Sequence, residues 1–133
     1  MYFKFLMKKS GQGSVEFIIM FGAVLLFFTM FFLVIQKNIE QKTLEKETIL
    51  AQNVALSVQN EINVASLASE GYSRDFIIDQ EIMGKDYNIT IADNIISVST
   101  DRVGLAYSIV KVVGTIKKGI NTIKKQNGQV FLN

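Results

Sequence analysis

The chain has 133 residues and contains no Cys and no His, which excludes a disulfide framework, thiolate chemistry and imidazole-based catalysis or metal binding. Its hydrophobic fraction of 49% is high for a small soluble domain and indicates a concentrated apolar segment. Its net charge of +2 hides an asymmetry, because Lys4, Lys8 and Lys9 precede residue 12, whereas residues 102–133 carry six basic side chains and no acid.

The first predicted element is an apolar helix. No charged residue occurs from Phe17 to Gln36, and a helix of this length spans roughly 30 Å, which is enough to cross a bilayer. Lysines precede this run and a charge-balanced segment follows it, so the positive-inside rule predicts a cytoplasmic N-terminus. An ordinary cleaved secretory signal is excluded, because its apolar stretch would be shorter and no small-residue cleavage site follows at 34–37.

No Pro interrupts the chain between Gln12 and Glu70, which predicts one continuous helix. Residues 12–36 would form its transmembrane or assembly part, and residues 37–70 an amphipathic continuation. Gly71 is predicted to end the helix as a left-handed cap. An apolar stripe at helical spacing runs along the continuation through Leu50, Val54, Val58, Ile62 and Ala65.

Beyond Gly71 the apolar period changes to two, which predicts a small antiparallel sheet over residues 71–133. Asp93-Asn94 and Asn127-Gly128 are the best hairpin turns, and a further turn is predicted at 84–86. The predicted fold class is therefore α+β, a long N-terminal hydrophobic helix followed by an antiparallel meander that the helix stripe covers. The predicted strands are Phe76–Ile78, Tyr87–Ile91, Ile95–Ser99, Leu105–Val113 and Gln129–Leu132.

The segment that is most informative about function stands immediately before the apolar run. It combines a basic leader that ends in Gly with a Gln-x-Ser-x-Glu pattern. Its small residues predict an extended backbone that a protease can reach at the membrane face. The segment resembles the class III signal peptide of archaeal type IV pilin-like proteins. The residues that carry this resemblance are Lys8, Lys9, Gly11, Gln12, Ser14 and Glu16.

The resemblance implies that a prepilin peptidase cuts between Gly11 and Gln12, so that residues 1–11 are removed and the apolar helix stays with the mature protein. It also implies that Glu16 pairs with the new amino terminus during assembly into a helical filament, with copies of the chain or related pilins as partners. Two alternatives stay open. Glu16 by itself is also a favourable partner for the helix macrodipole, and the apolar run by itself is compatible with a signal-anchored extracytoplasmic binding protein that forms no filament.

Other functional signals are sparse. The sequence predicts no catalytic residue, no metal site and no cofactor. Asn88-Ile89-Thr90 is a possible N-glycosylation sequon, and strand alternation predicts that Asn88 is exposed. A basic set is interpreted as a solvated face or as the counterpart of the acidic stretch 70–101, rather than as a site for nucleic acid or another anionic surface. This set consists of Lys111, Lys117, Lys118, Lys124 and Lys125.

Overall fold

The computed structural model describes residues 9–133, with side chains described from residue 11 onward. This part of the chain forms one helix, α1 (Lys9–Leu67), and seven strands. It divides into an N-terminal unit that ends at Lys42 and a C-terminal unit, Thr43–Asn133. The strands are β1 (Ser73–Ile78), β2 (Asn88–Ala92), β3 (Ile95–Ser99), β4 (Gly104–Ser108), β5 (Val112–Gly114), β6 (Gly119–Gln126) and β7 (Gln129–Leu132).

The described part of the N-terminal unit is a stretch of α1, and every side chain from residue 11 to residue 42 is exposed. No Pro interrupts this segment, and its backbone groups are paired within the helix. Thr29, inside the apolar run, donates its hydroxyl to the carbonyl oxygen of Leu25 at 2.9 Å. The hydroxyl is therefore satisfied without water, as an apolar environment requires.

In the C-terminal unit, α1 buries the predicted apolar stripe. Val54, Val58, Ile62 and Ala65 are all buried, and Leu50 is half-buried against the same core. Two small side chains that directly follow stripe residues, Ala51 and Ala55, are also fully buried. Alanines at these positions allow other side chains to approach the helix backbone closely.

The prediction that Gly71 caps the end of the helix is wrong. The helix ends at Leu67, and Gly71, although left-handed at φ 85°, lies instead in a turn in which Tyr72 N donates to Ser69 O. The end of the helix is capped by the ammonium group of Lys125, which donates to the carbonyl oxygens of Ser66 and Ala68 at 2.7 and 2.8 Å. A cation there satisfies the unpaired carbonyls and complements the helix dipole.

The strands form two sheets, so the predicted single meander is wrong although the α+β class is confirmed. One sheet has the order β1-β6-β7-β5, and the other has the order β2-β3-β4. All pairs are antiparallel except β5 with β7, which are parallel with Val112 opposite Val130. After β4 the chain leaves the second sheet, and β5 joins the edge of the first sheet beside β7. The parallel pair forms at this edge.

Two strand predictions need correction. The segment Leu105–Val113, predicted as one strand, contains β4 and β5 in different sheets, and the buried Ile109 lies at the crossing between them. Strand β6 was not predicted, because two of its inward positions hold Asn121 and Lys125 and so break the apolar alternation. Asn121 is fully buried and bonds the backbone of Lys117 in both directions, at 3.0 and 2.7 Å.

The predicted hairpin turns are confirmed at 93–94 and 127–128, where both residues of each turn have positive φ. This geometry matches the right-handed twist of the flanking strands. The turn predicted at 84–86 lies one residue earlier, at Met83 and Gly84, with φ of 54° and 72°. It is closed by paired hydrogen bonds between Ile82 and Lys85.

Candidate functional site

The backbone around the predicted cleavage site is helical, since α1 begins at Lys9. The expectation of an extended backbone at this point is therefore wrong. Gly11 and Gly13 face open space, and each Gly lowers helix stability by about 1 kcal/mol relative to Ala. These two glycines weaken the helix beside the Gly11–Gln12 bond that a peptidase would have to reach, so local unwinding costs less there than in a stretch without glycine.

The predicted motif residues occupy the first turns of α1. Glu16 lies four residues after Gln12, which places the two on the same helix face. Gln12, Ser14 and Glu16 are all exposed. Lys8 lies outside the described residues, and only the helical backbone of Lys9 is described.

The helix surface that follows Glu16 is apolar on all sides. No charged residue occurs in it from Phe17 to Gln36, and none of this stretch is buried inside the structure. Phe17 and Phe21 stack at 6.1 Å between ring centroids, but neither ring is covered by another element. By length and composition this helix can cross a membrane. An exposed apolar surface of this extent requires an apolar partner, either lipid or protein.

Comparison with known families identifies this same segment. Residues 9–31 match the model of the family described as the class III signal peptide. The match supports a type IV pilin-like protein. It covers Gly11, Gln12, Ser14 and Glu16 together with most of the apolar run, up to residue 31, and it supports membrane anchoring and surface display. Comparisons with curated proteins and with solved structures gave no match.

The sequon lies on an accessible strand. Asn88 begins β2, which is an edge strand of the three-stranded sheet, and its side chain is exposed. Thr90 is exposed on the same face, whereas Ile89 between them is buried. The predicted exposure is confirmed, and the geometry leaves the amide nitrogen of Asn88 open to modification.

The five lysines of the basic set do not form one surface. Lys118 pairs with the Asp86 carboxylate and lies 5.1 Å from the centre of the Tyr87 ring, and Lys125 caps α1. Burial, together with the nearby acids, raises the pKa of Tyr87 to about 12. The other three side chains, Lys111, Lys117 and Lys124, are exposed. Lys118 and Lys125 thus form contacts within the C-terminal unit, and Lys118 pairs with an acid of the stretch 70–101.

Sequence reasoning missed a buried charge in the C-terminal unit. Glu47 is 2% exposed, accepts a hydrogen bond from the Thr100 hydroxyl, and pairs with Arg102 at 2.5 Å. These bonds, led by the Thr100 contact, hold the pKa of the Glu47 carboxyl below its ordinary value. Glu47 stands eleven residues beyond the uncharged run, among alternating Glu and Lys, and nothing in that pattern distinguishes it from its exposed neighbours.

A groove of about 400 Å³ opens beside β1. Its floor combines apolar side chains of α1 and β1, while Asp79 and Glu81 supply negative charge at its rim. Neither of these two acids forms an ion pair among the residues that the structure describes. We call this feature the β1 groove. It is lined by Leu50, Asn53, Val54, Ser57, Ile77, Ile78, Asp79, Glu81, Ile82 and Met83.

Proposed function

We propose that this chain is a structural, non-enzymatic subunit of an archaeal type IV pilus-like surface filament. The observation that carries the proposal is the class III signal peptide match on residues 9–31, directly continuous with a fully exposed apolar helix. A helix of this kind is stable in lipid before assembly and in the core of a filament afterwards, because both environments cover its apolar surface.

In this proposal a prepilin peptidase cleaves between Gly11 and Gln12. Removal of residues 1–11 eliminates the basic leader and creates a cationic amino terminus one helical turn before Glu16. An isolated carboxylate in an apolar surrounding loses several kcal/mol of hydration, so it needs a cationic partner. The new amine of Gln12 supplies that partner, either on the same chain or on a neighbouring subunit.

Before assembly, the proposed subunit spans the cell membrane once, with its N-terminus in the cytoplasm and its C-terminal unit outside. The lysines ahead of the apolar run favour this orientation. After processing, the subunit enters the surface filament, where exposed groups such as Asn88 are available for glycosylation. A role of the filament in cell adhesion belongs to the same proposal.

Processing is tested by intact-mass measurement of the protein recovered from native membranes. The expected product begins at Gln12 and is about 11 residues shorter than the precursor, because the leader, residues 1–11, is removed. Gly11→Leu should block cleavage and leave membrane insertion unchanged, because the apolar span is untouched. Gly22→Leu is the matched control, since Gly22 is another helix glycine that faces open space. A protein that retains residue 1 or 2 would contradict the processing step.

The alternative is a signal-anchored binding protein that is neither cleaved nor assembled. It shares the apolar helix and the orientation, so insertion experiments do not separate the two candidates. Cleavage at Gly11 and recovery of the mature chain in sheared filaments favour the filament subunit. An uncleaved chain that remains entirely in the membrane fraction favours the anchor.

A further inference from the structure

The two edges of the four-stranded sheet carry complementary surfaces. The sheet order β1-β6-β7-β5 puts β1 at one edge and β5 at the other. The β1 groove lies at the first edge and bears Asp79 and Glu81, which form no ion pair within the described residues. At the second edge stand Val113 of β5 and, in the connection just before this strand, Val110 and Lys111. We call these three residues the β5 ridge.

The β5 ridge presents apolar surface beside a positive charge. Val110 and Val113 are 44% and 42% exposed, and Lys111 between them is exposed without an ion pair in the described part of the chain. No Asp or Glu occurs in residues 102–133, so no acidic side chain of this segment competes for Lys111. The ridge and the groove are therefore matched both in polarity and in charge.

We propose that the β5 ridge of one copy docks in the β1 groove of the next copy. This inference rests on the proposed filament function and adds to it the surface through which neighbouring subunits contact each other. Val110 and Val113 would cover the exposed apolar side chains of Ile77 and Met83, and the Lys111 ammonium would pair with the carboxylates of Asp79 and Glu81.

Strand direction is consistent with such a contact. Strand β1 is antiparallel to β6 and β6 to β7, so β1 and β7 run in the same direction, and β5 is parallel to β7. Both edge strands consequently point the same way, and the next copy can approach without being inverted. A contact between two different surfaces of the same chain is heterologous and continues from copy to copy. Such a contact suits a helical filament and does not favour a closed dimer.

Met83 lines the β1 groove and has a positive φ. It has a left-handed backbone at φ 54°, which is unusual for a side chain of this type, and it is 40% exposed at the groove. Asn adopts this conformation more readily than Met. Met83→Asn should therefore leave the fold intact or stabilise it, while it removes apolar surface from the docking site.

Charge reversal in the full-length chain, expressed in its native cell, tests the ion pair. Asp79→Lys with Glu81→Lys should lower the yield of sheared filaments by about tenfold or more, since like charges would then meet at the contact. Lys111→Glu should have the same effect, and combining all three changes should restore filaments. Lys124→Glu is the control, because Lys124 is an exposed lysine on the interior strand β6, opposite Ser73 at the end of β1 that is far from Asp79 and Glu81. Equal yields for all variants would overturn the proposal.

Cysteine cross-linking gives a readout that is independent of filament yield, and the absence of native Cys makes the background clean. Met83→Cys with Val113→Cys should give a ladder of disulfide-linked oligomers on mild oxidation. Leu67→Cys with Val113→Cys should not, although Leu67 is 88% exposed. Met83→Asn should reduce filaments without lowering the amount of processed subunit in the membrane.

The outcomes separate the two proposals. Filaments with a ladder and charge-swap rescue support both. Filaments without a ladder, in which charge reversal has no effect, overturn the docking surface and leave the filament function standing. A ladder in membranes from cells that make no filaments supports the contact and removes the filament function. Absence of both filaments and ladder overturns both proposals.

Discussion

The two units of this chain differ in whether their apolar side chains are exposed or buried. From residue 11 to residue 42 the helix exposes every side chain, including ten large apolar residues between Phe17 and Phe28. From Thr43 onward the chain buries a core that includes Ile62, Ile96 and Ile123. The first unit requires lipid or protein to cover its apolar surface, whereas the second carries its own core. Changes in the first unit should therefore affect assembly, and changes in the second should affect stability.

The largest expected effect is on assembly and comes from Glu16→Gln. This change removes the carboxylate that would pair with the amine of Gln12, while the lysines and the apolar run that direct insertion are unchanged. Processed subunit should be present in the membrane at normal levels, but few or no filaments should be sheared from cells. Ser14→Ala should be milder because it removes no charge. If Glu16→Gln assembles as well as the parent, the pairing role is wrong and the signal-anchor alternative gains support.

In the C-terminal unit, Gly114→Ala should be the most damaging single change. Gly114 has φ of 120°, and an added Cβ would overlap the backbone carbonyl of Leu132 on the adjacent strand. The expected loss in free energy of unfolding is roughly 3 kcal/mol or more. Urea unfolding of a fragment that begins at Lys37, which we expect to fold as a monomer, would measure it. Gly104→Ala is the matched control, since open space surrounds Gly104. Equal losses in free energy of unfolding for the two variants would contradict the packing of β5 on β7.

The next effect is a core truncation. Ile89→Ala should lower the free energy of unfolding by roughly 2 to 4 kcal/mol, because Ile89 is buried in the same cluster as Val58 and Ile62. Ile120→Ala removes the same atoms from a side chain that is 63% exposed, and its cost should stay within about 0.5 kcal/mol. The same fragment serves for both measurements. The absence of a cooperative transition in the parent fragment would contradict an independently folded C-terminal unit.

The smallest effect depends on pH. Because folding lowers the Glu47 pKa, its ion pair contributes stability above the ordinary value of 4.5, and this contribution is lost as pH falls through the folded pKa. Melting temperature should therefore decrease below about pH 4.5 in the parent. Glu47→Gln should be less stable at neutral pH and should lack this part of the acid dependence. Glu81→Gln, an exposed control, should follow the parent curve.

In the described part of the N-terminal unit, the sequence predicted the continuous apolar helix and the signal-peptide segment. Twenty uncharged residues and the Gln12, Ser14, Glu16 spacing are local features, and the family match on residues 9–31 covers the same segment. The predicted extended backbone near Gly11 is wrong, because that segment is helical. Local glycines indicate where a helix is weak, but the uninterrupted helix that follows can still propagate through them.

In the C-terminal unit, the sequence by itself determined the α+β class, the helix stripe and the two-residue turns at 93–94 and 127–128, because helical period, strand period and positive-φ preference are local properties. The tertiary structure decided the division into two sheets, the parallel pairing of β5 with β7 and the capping of α1 by Lys125. It also decided that Glu47 is buried beside Arg102 while its charged neighbours stay in solvent. These features join residues 18 to 59 positions apart. Local patterns carry no information about which distant strand or cation will be adjacent, so only packing of the whole unit selects these partners.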